Sequence, residues 1–126
     1  MLGRFAPEQV GIASTKENEP MLNIYAVALR VVRQLRPVIR QIAVHNRNLA
    51  DHLDRSSVAV PLLIAEASGV RAGNRKARHL SALGEAEEVR AALDVAEATE
   101  WVSEVPREVR ADLGQIIGTL VKLTRG

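Results

Sequence analysis

The chain is predicted to be all-α, an antiparallel up-down-up-down four-helix bundle. Four stretches repeat apolar residues at helical spacing, and the connections between them are short and carry Gly, Pro and Asn. Only 2% of the residues are aromatic, namely Phe5, Tyr25 and Trp101, in a chain that is 47% hydrophobic. The interior must therefore be aliphatic and rich in alanine, which suits closely packed helices; a β-sandwich draws on aromatic and β-branched alternation. At 126 residues the chain is long enough for one domain with a real core.

Residues 1–20, with Pro7, Gly11 and a polar run from Ser14 to Glu19, read as a flexible N-terminal tail ahead of a bundle domain over residues 21–126. Pro20 suits a first helical turn. The first helix is predicted over about Met21 to Val44, with Tyr25, Ala28, Leu29, Val32, Leu35, Ile39 and Ile42 on its buried side. Pro37 lies inside it, which predicts a kink or, failing that, a break. The second helix is expected from Leu49 to Ser68 with Asn48 as its cap. Its stripe is Leu49, Leu53, Val60, Leu63, Ile64 and Ala67, with Ser56 and Ser57 among them and a bend at Pro61. Gly69 to Gly73 punctuates the chain, and Asn74 is the expected cap of a third helix running to about Thr99, with Ala82, Ala86, Val89, Leu93 and Ala96 on one face. The fourth helix starts at Pro106 and carries Val109, Leu113, Ile116, Ile117, Leu120 and Leu123.

Several chemistries are excluded or disfavoured. Without cysteine there are no disulfides, thiolate metal sites or cysteine nucleophiles. No apolar run approaches the length of a membrane span, and the N-terminal stretch has no signal-peptide core, so a cytoplasmic protein without a membrane role is expected. Bundles often hold metals through Glu-x-x-His motifs. The residues three before His45, His52 and His79 are Ile42, Leu49 and Lys76, so no metal is expected and the histidines read as isolated surface residues. No serine lies in a Gly-x-Ser-x-Gly elbow, and the Gly69-to-Lys76 segment lacks the Gly-Lys-Ser/Thr ending of a phosphate loop. Neither a catalytic residue nor a cofactor is expected, and hence no enzyme.

The net charge of +2 hides an asymmetry. Residues 1–79 hold 12 Lys+Arg against 6 Asp+Glu, and residues 80–126 hold 5 against 9. Such a distribution serves either an acidic partner or contact between copies of the chain. Two basic features stand out. Arg30, Arg33, Arg36, Arg40 and Arg47 fall in a sector of about 120° on the first helix, flanking its apolar face, and a row of arginines can track a phosphate backbone. Arg71, Arg75, Lys76 and Arg78 crowd the start of the third helix, where the macrodipole disfavours cations and a bound anion would offset the cost. The plainer readings are a solvated basic loop and arginine stems that cover bundle edges and pair with acids such as Glu85, Glu87 and Glu88. Arg55 and Glu66 share a side of the second helix but are too far apart to pair within it, which suits a subunit contact or simple solvation. Alanine on several sides of the third helix, including Ala91 and Ala98, allows a further helix to approach.

The stretch Arg55-Ser56-Ser57-Val58-Ala59-Val60-Pro61-Leu62-Leu63-Ile64-Ala65-Glu66-Ala67 resembles the signature of a bacterial four-helix bundle family encoded in 23S rRNA intervening sequences. Ala82-Leu83-Gly84-Glu85-Ala86-Glu87-Glu88-Val89 resembles that family's block on the third helix, and with Tyr25 the likeness spans about Leu22 to Leu123. The chain departs from the signature at Ala59, Leu63, Ala67 and Glu85, which partly erases its polar positions. The resemblance implies a homopentameric ring without enzyme activity, with Arg55, Glu66 and Glu88 at the oligomer interface. The chain is also similar to the accessory variability proteins of diversity-generating retroelements, which implies RNA or DNA and a reverse transcriptase as partners. The leading expectation is a non-enzymatic oligomeric bundle that binds nucleic acid through its basic surface; the alternative is a protein-interaction scaffold with no nucleic-acid role.

Overall fold

A computed structural model describes residues 19–125, and the expected N-terminal tail lies, up to residue 18, outside the described residues. Four helices follow one another: α1 (Glu19–His45), α2 (Arg47–Ser68), α3 (Ala72–Ala98) and α4 (Arg107–Thr124). Each packs against its two neighbours in the ring α1-α2-α3-α4, with the most extensive contact between α2 and α3. Such a ring with short links is the up-down-up-down bundle.

A single residue, Asn46, separates α1 from α2. Its extended backbone ends one helix, and its Oδ1 accepts from Leu49 N at 2.8 Å to start the next. Asn46, and not Asn48, is thus the cap, and α2 begins two residues earlier than the sequence suggests. Both internal prolines sit in unbroken helices. Pro37 lies on the exposed side of α1, where the carbonyl it leaves without its helical partner can meet water, and one residue earlier Val32 O accepts from Arg36 Nε at 3.0 Å. Pro61 is buried in α2 and fills core volume.

The core is aliphatic, as composition demands. Ile24, Leu35, Ile42, Leu53, Ile64, Leu93, Ile116 and Leu120 are fully buried, and Ala82, Ala86, Ala92 and Ala96 let α3 lie close to its neighbours. The α3 face read from spacing is buried throughout. On α1 the stripe differs: Ile24, Val27, Ala28, Val31, Leu35, Val38 and Ile42 are buried, while Leu29 and Val32 are only half-buried. At 100° per residue this strip lies about 70° around the helix from the expected one. The reason is that α1 is apolar nearly all round between Ile24 and Val32, and the polar residues that fix its orientation, Arg33, Gln34, Arg36, Arg40 and Gln41, come only in its later turns. Leu123 is another correction, since it is 38% exposed.

The α3-to-α4 connection is folded onto the bundle. Trp101 N donates to Ala96 O at 2.9 Å and Glu100 N to Glu97 O at 3.0 Å, the two bonds of a Schellman ending. The left-handed position is filled by Glu100 (φ 63°), where glycine is usual. Val102 and Val105 are buried by this turn.

Candidate nucleic-acid interface

The rotation of α1 settles where its arginines go. With the core strip turned, they occupy the side opposite the core and do not flank it. Apart from Glu19 in the first turn, α1 contains no acidic residue, so any counter-charge must come from a neighbour. Two edges receive one. Arg30 makes a bidentate pair with Asp112 of α4, Nε to Oδ2 at 2.8 Å and Nη2 to Oδ1 at 3.0 Å. That hydrogen bond, opposed by slight burial, raises the Arg30 pKa further above its ordinary value. Arg36 lies 2.9 Å from Asp54 of α2.

Between these edges runs a crest. Arg33 and Arg40 are exposed and have no partner among the described residues. They stand two turns apart, about 10 Å along the axis. Arg47 belongs to α2 as its first residue, is exposed, and is likewise unpaired among the described residues.

The second basic group is not brought to this crest. The α2-to-α3 link lies at the other end of α2, about 33 Å from Asn46. Arg71, and not Asn74, precedes the first turn of α3 and makes no side-chain cap bond. Arg71, Arg75 and Lys76 are exposed, with Arg75 Nη2 donating to Val70 O at 3.2 Å. Arg78 instead lies over α2, its Nε 3.2 Å from Glu66 Oε1 in a pair that is not aligned as a hydrogen bond.

The same seam holds two of the three residues expected at an interface, Glu66 and Glu88. Glu66 pairs with Arg78 as above, while Glu88 Oε1 accepts from buried Ser56 Oγ at 3.3 Å and lies 3.4 Å from His52 Nε2. Arg55 stays exposed on the outward side of α2, in a shallow depression with Asp51, Val58 and Leu62. His79 corrects the surface reading of the histidines: it is 3% exposed, and its Nε2 has no hydrogen-bond partner. Burial, and then the charge of Arg75, lowers its pKa below the ordinary value.

Sequence reasoning missed three groups. Asp112 and Asp54 decide which arginines are free, yet only tertiary placement shows it. Glu97 holds the last connection, its Oε2 accepting from Val105 N at 2.8 Å and its Oε1 from Arg110 Nη2 at 2.9 Å. His45 and Trp101 stack with parallel rings, centroids 6.4 Å apart. The polar-apolar-polar run around Trp101 is the one signal that marks a half-buried aromatic there.

The helices and their packing define the class: an all-α four-helix bundle. Among the described residues no group of three or more His, Asp or Glu is arranged to hold a metal ion, and no described helix is long and apolar enough to cross a membrane. A solved structure shares the fold, that of a protein of unknown function from the S23 ribosomal protein family of Bacteroides thetaiotaomicron VPI-5482. It matches with a TM-score of 0.71 at 17% identity, covering 82% of this chain and 99% of that one. At that identity the likeness shows the fold alone, and it does not reach the accessory variability proteins. No family model matches the chain, and no curated protein does.

Proposed function

We infer that the chain is a non-catalytic bundle that binds a nucleic-acid strand along the crest of α1. The observation that carries this is a helix with four arginines and no acid after its first residue, of which Arg33 and Arg40 stay uncompensated and exposed. Guanidinium groups on one ridge meet phosphates without reading sequence, so affinity depends on counterion release. The test is a salt series with RNA and DNA on the nuclease-treated protein. Replacing Arg33 and Arg40 together with glutamate is expected to weaken low-salt binding more than about tenfold and to flatten the salt slope by about two contacts. Unchanged affinity in that variant would remove the crest from any such role.

A second reading, a self-assembling scaffold, is favoured by a different face. Gly73, Ala77, Gly84, Ala91 and Ala98 follow one line along the outward side of α3, beside Leu80 and Val95 at 49% and 45% exposure. A Cβ added at Gly84 meets nothing within 4 Å, so the bundle itself does not require glycine there. Small residues with exposed aliphatic neighbours suit a second helix at close range. Under this reading Gly84→Arg lowers the mass in solution; a constant mass argues against the face.

A further inference from the structure

Towards its C-terminal end the crest of α1 runs into a cleft. Arg33, Pro37, Arg40 and Val44 fall within about 60° of one another around the helix. Val44 is 80% exposed, unusual for an aliphatic side chain, and it forms one wall of a surface cleft of about 510 Å³ shared with Gln41, His45, Glu100 and Trp101. The rings of His45 and Trp101 lie at 6° to one another. Trp101 is half-buried, packing against the core while also lining the cleft. Glu100 is held on the rim in the left-handed conformation by the Schellman turn.

We propose that this cleft accepts one unpaired nucleobase from a strand whose phosphates run over Arg33 and Arg40. The proposal rests on the crest reading above and adds to it the form of nucleic acid that is bound. Its chemistry follows from the two ends of the path. A phosphate is attracted by the crest and repelled by the Glu100 carboxylate, so the backbone stays on the arginines and does not enter the cleft. A base does the reverse: its flat face extends the parallel ring pair, and its N–H edge donates to the carboxylate. His45 stands about 7.5 Å along the axis and about 140° around the helix from Arg40, with Val44 between them, so a strand that leaves Arg40 crosses Val44 before its base reaches the rings. A duplex keeps its bases stacked inside and cannot make this contact, which turns a sequence-neutral charge interaction into a preference for single strands.

Trp101 is the protein's one tryptophan, so its emission reports directly on the cleft. The full chain is titrated at low salt with a short single-stranded RNA of mixed sequence, and separately with the blunt duplex of the same sequence. The expected result is quenching by the single strand and not by the duplex, with the single strand bound about tenfold more tightly. His45 is exposed and ends its helix, so His45→Ala is expected to fold, to lose most of that preference, and to keep its duplex affinity. Salt-sensitive binding of both probes with equal affinity and unchanged emission overturns the cleft and leaves the crest standing. No binding of either probe at low salt sinks both. A preference that survives His45→Ala undiminished overturns the base-stacking role of the ring pair.

Discussion

Where α1 meets α2 and α3 turns towards α4, helix ends are closed by their own neighbours. Asn46 caps α2, the Schellman turn closes α3, Thr99 Oγ1 donates to Val95 O at 2.8 Å, and Glu97 ties Val105 and Arg110 to the same corner. At the other end α3 begins without a side-chain cap, with three exposed cationic side chains facing the positive end of its dipole. The Glu66–Arg78 pair that crosses the seam there is unaligned. α2 thus begins on a side-chain cap and α3 does not, while α4 also starts without one, at Pro106; the proposed cleft lies at the end that holds the Asn46 cap and the Schellman turn. A site that must hold ring planes parallel benefits from rigid surroundings.

The largest test of this contrast opens the closed end. Glu97→Ala removes the acceptor of a buried connection's N–H together with an ion pair, and is expected to cost about 2 kcal/mol in chemical unfolding. Glu97→Gln keeps an acceptor for Val105 N and should cost about half as much. Equal losses in the two variants would place the effect in the charge and not in the backbone bond. The opposite manoeuvre closes the open end. Arg71 already has the extended backbone of a cap, with φ −68° and ψ 161°. Arg71→Asp supplies the missing acceptor and reverses the charge at the dipole, for a gain of about 1 kcal/mol in thermal unfolding. No gain would mean that water already satisfies this terminus.

Glu100→Gly refines the picture of the closed end. Relief of the left-handed strain outweighs the greater freedom of glycine in the unfolded chain, and a stabilisation of about 0.5 kcal/mol is expected from the melting temperature. Because the substitution also deletes the rim carboxylate, the variant separates fold from site: it should be more stable and yet lose base preference.

Legibility differed from helix to helix. On α3 the predicted Ala82, Ala86, Val89, Leu93 and Ala96 are all buried, although the helix also carries apolar residues on its outward side at Leu80, Ala91, Val95 and Ala98. Between Ile24 and Val32, α1 offers one charge, and its arginines, predicted beside the apolar face, stand opposite the core, while Arg47 falls on α2. Caps misled for a related reason. Asn46, Asn48 and Asn74 are chemically equivalent candidates, and the choice depends on where the preceding helix stops, which tertiary packing sets. Least legible was the pairing of charges, since Asp54, Asp112 and Glu66 are ordinary surface acids until the fold brings Arg36, Arg30 and Arg78 beside them.

His79 gives the gentlest test, because at neutral pH it changes nothing. Its ordinary pKa is 6.5, and burial with the nearby Arg75 charge lowers it in the folded chain. Above 6.5 both folded and unfolded states hold the ring neutral, and stability is at its full value. As pH falls below that value the unfolded chain takes up the proton first, so the folded state loses stability progressively until the lowered folded pKa is passed. Urea midpoints at about pH 7.5 and about pH 5 should therefore differ for the wild type, and His79→Leu should reduce the difference. Because Arg75 reinforces the shift, Arg75→Gln should reduce it too, though less than His79→Leu does. Should Arg75→Gln leave the pH dependence untouched, burial alone sets the shift, and the basic crowding at the open end acts on the α3 terminus without reaching the interior.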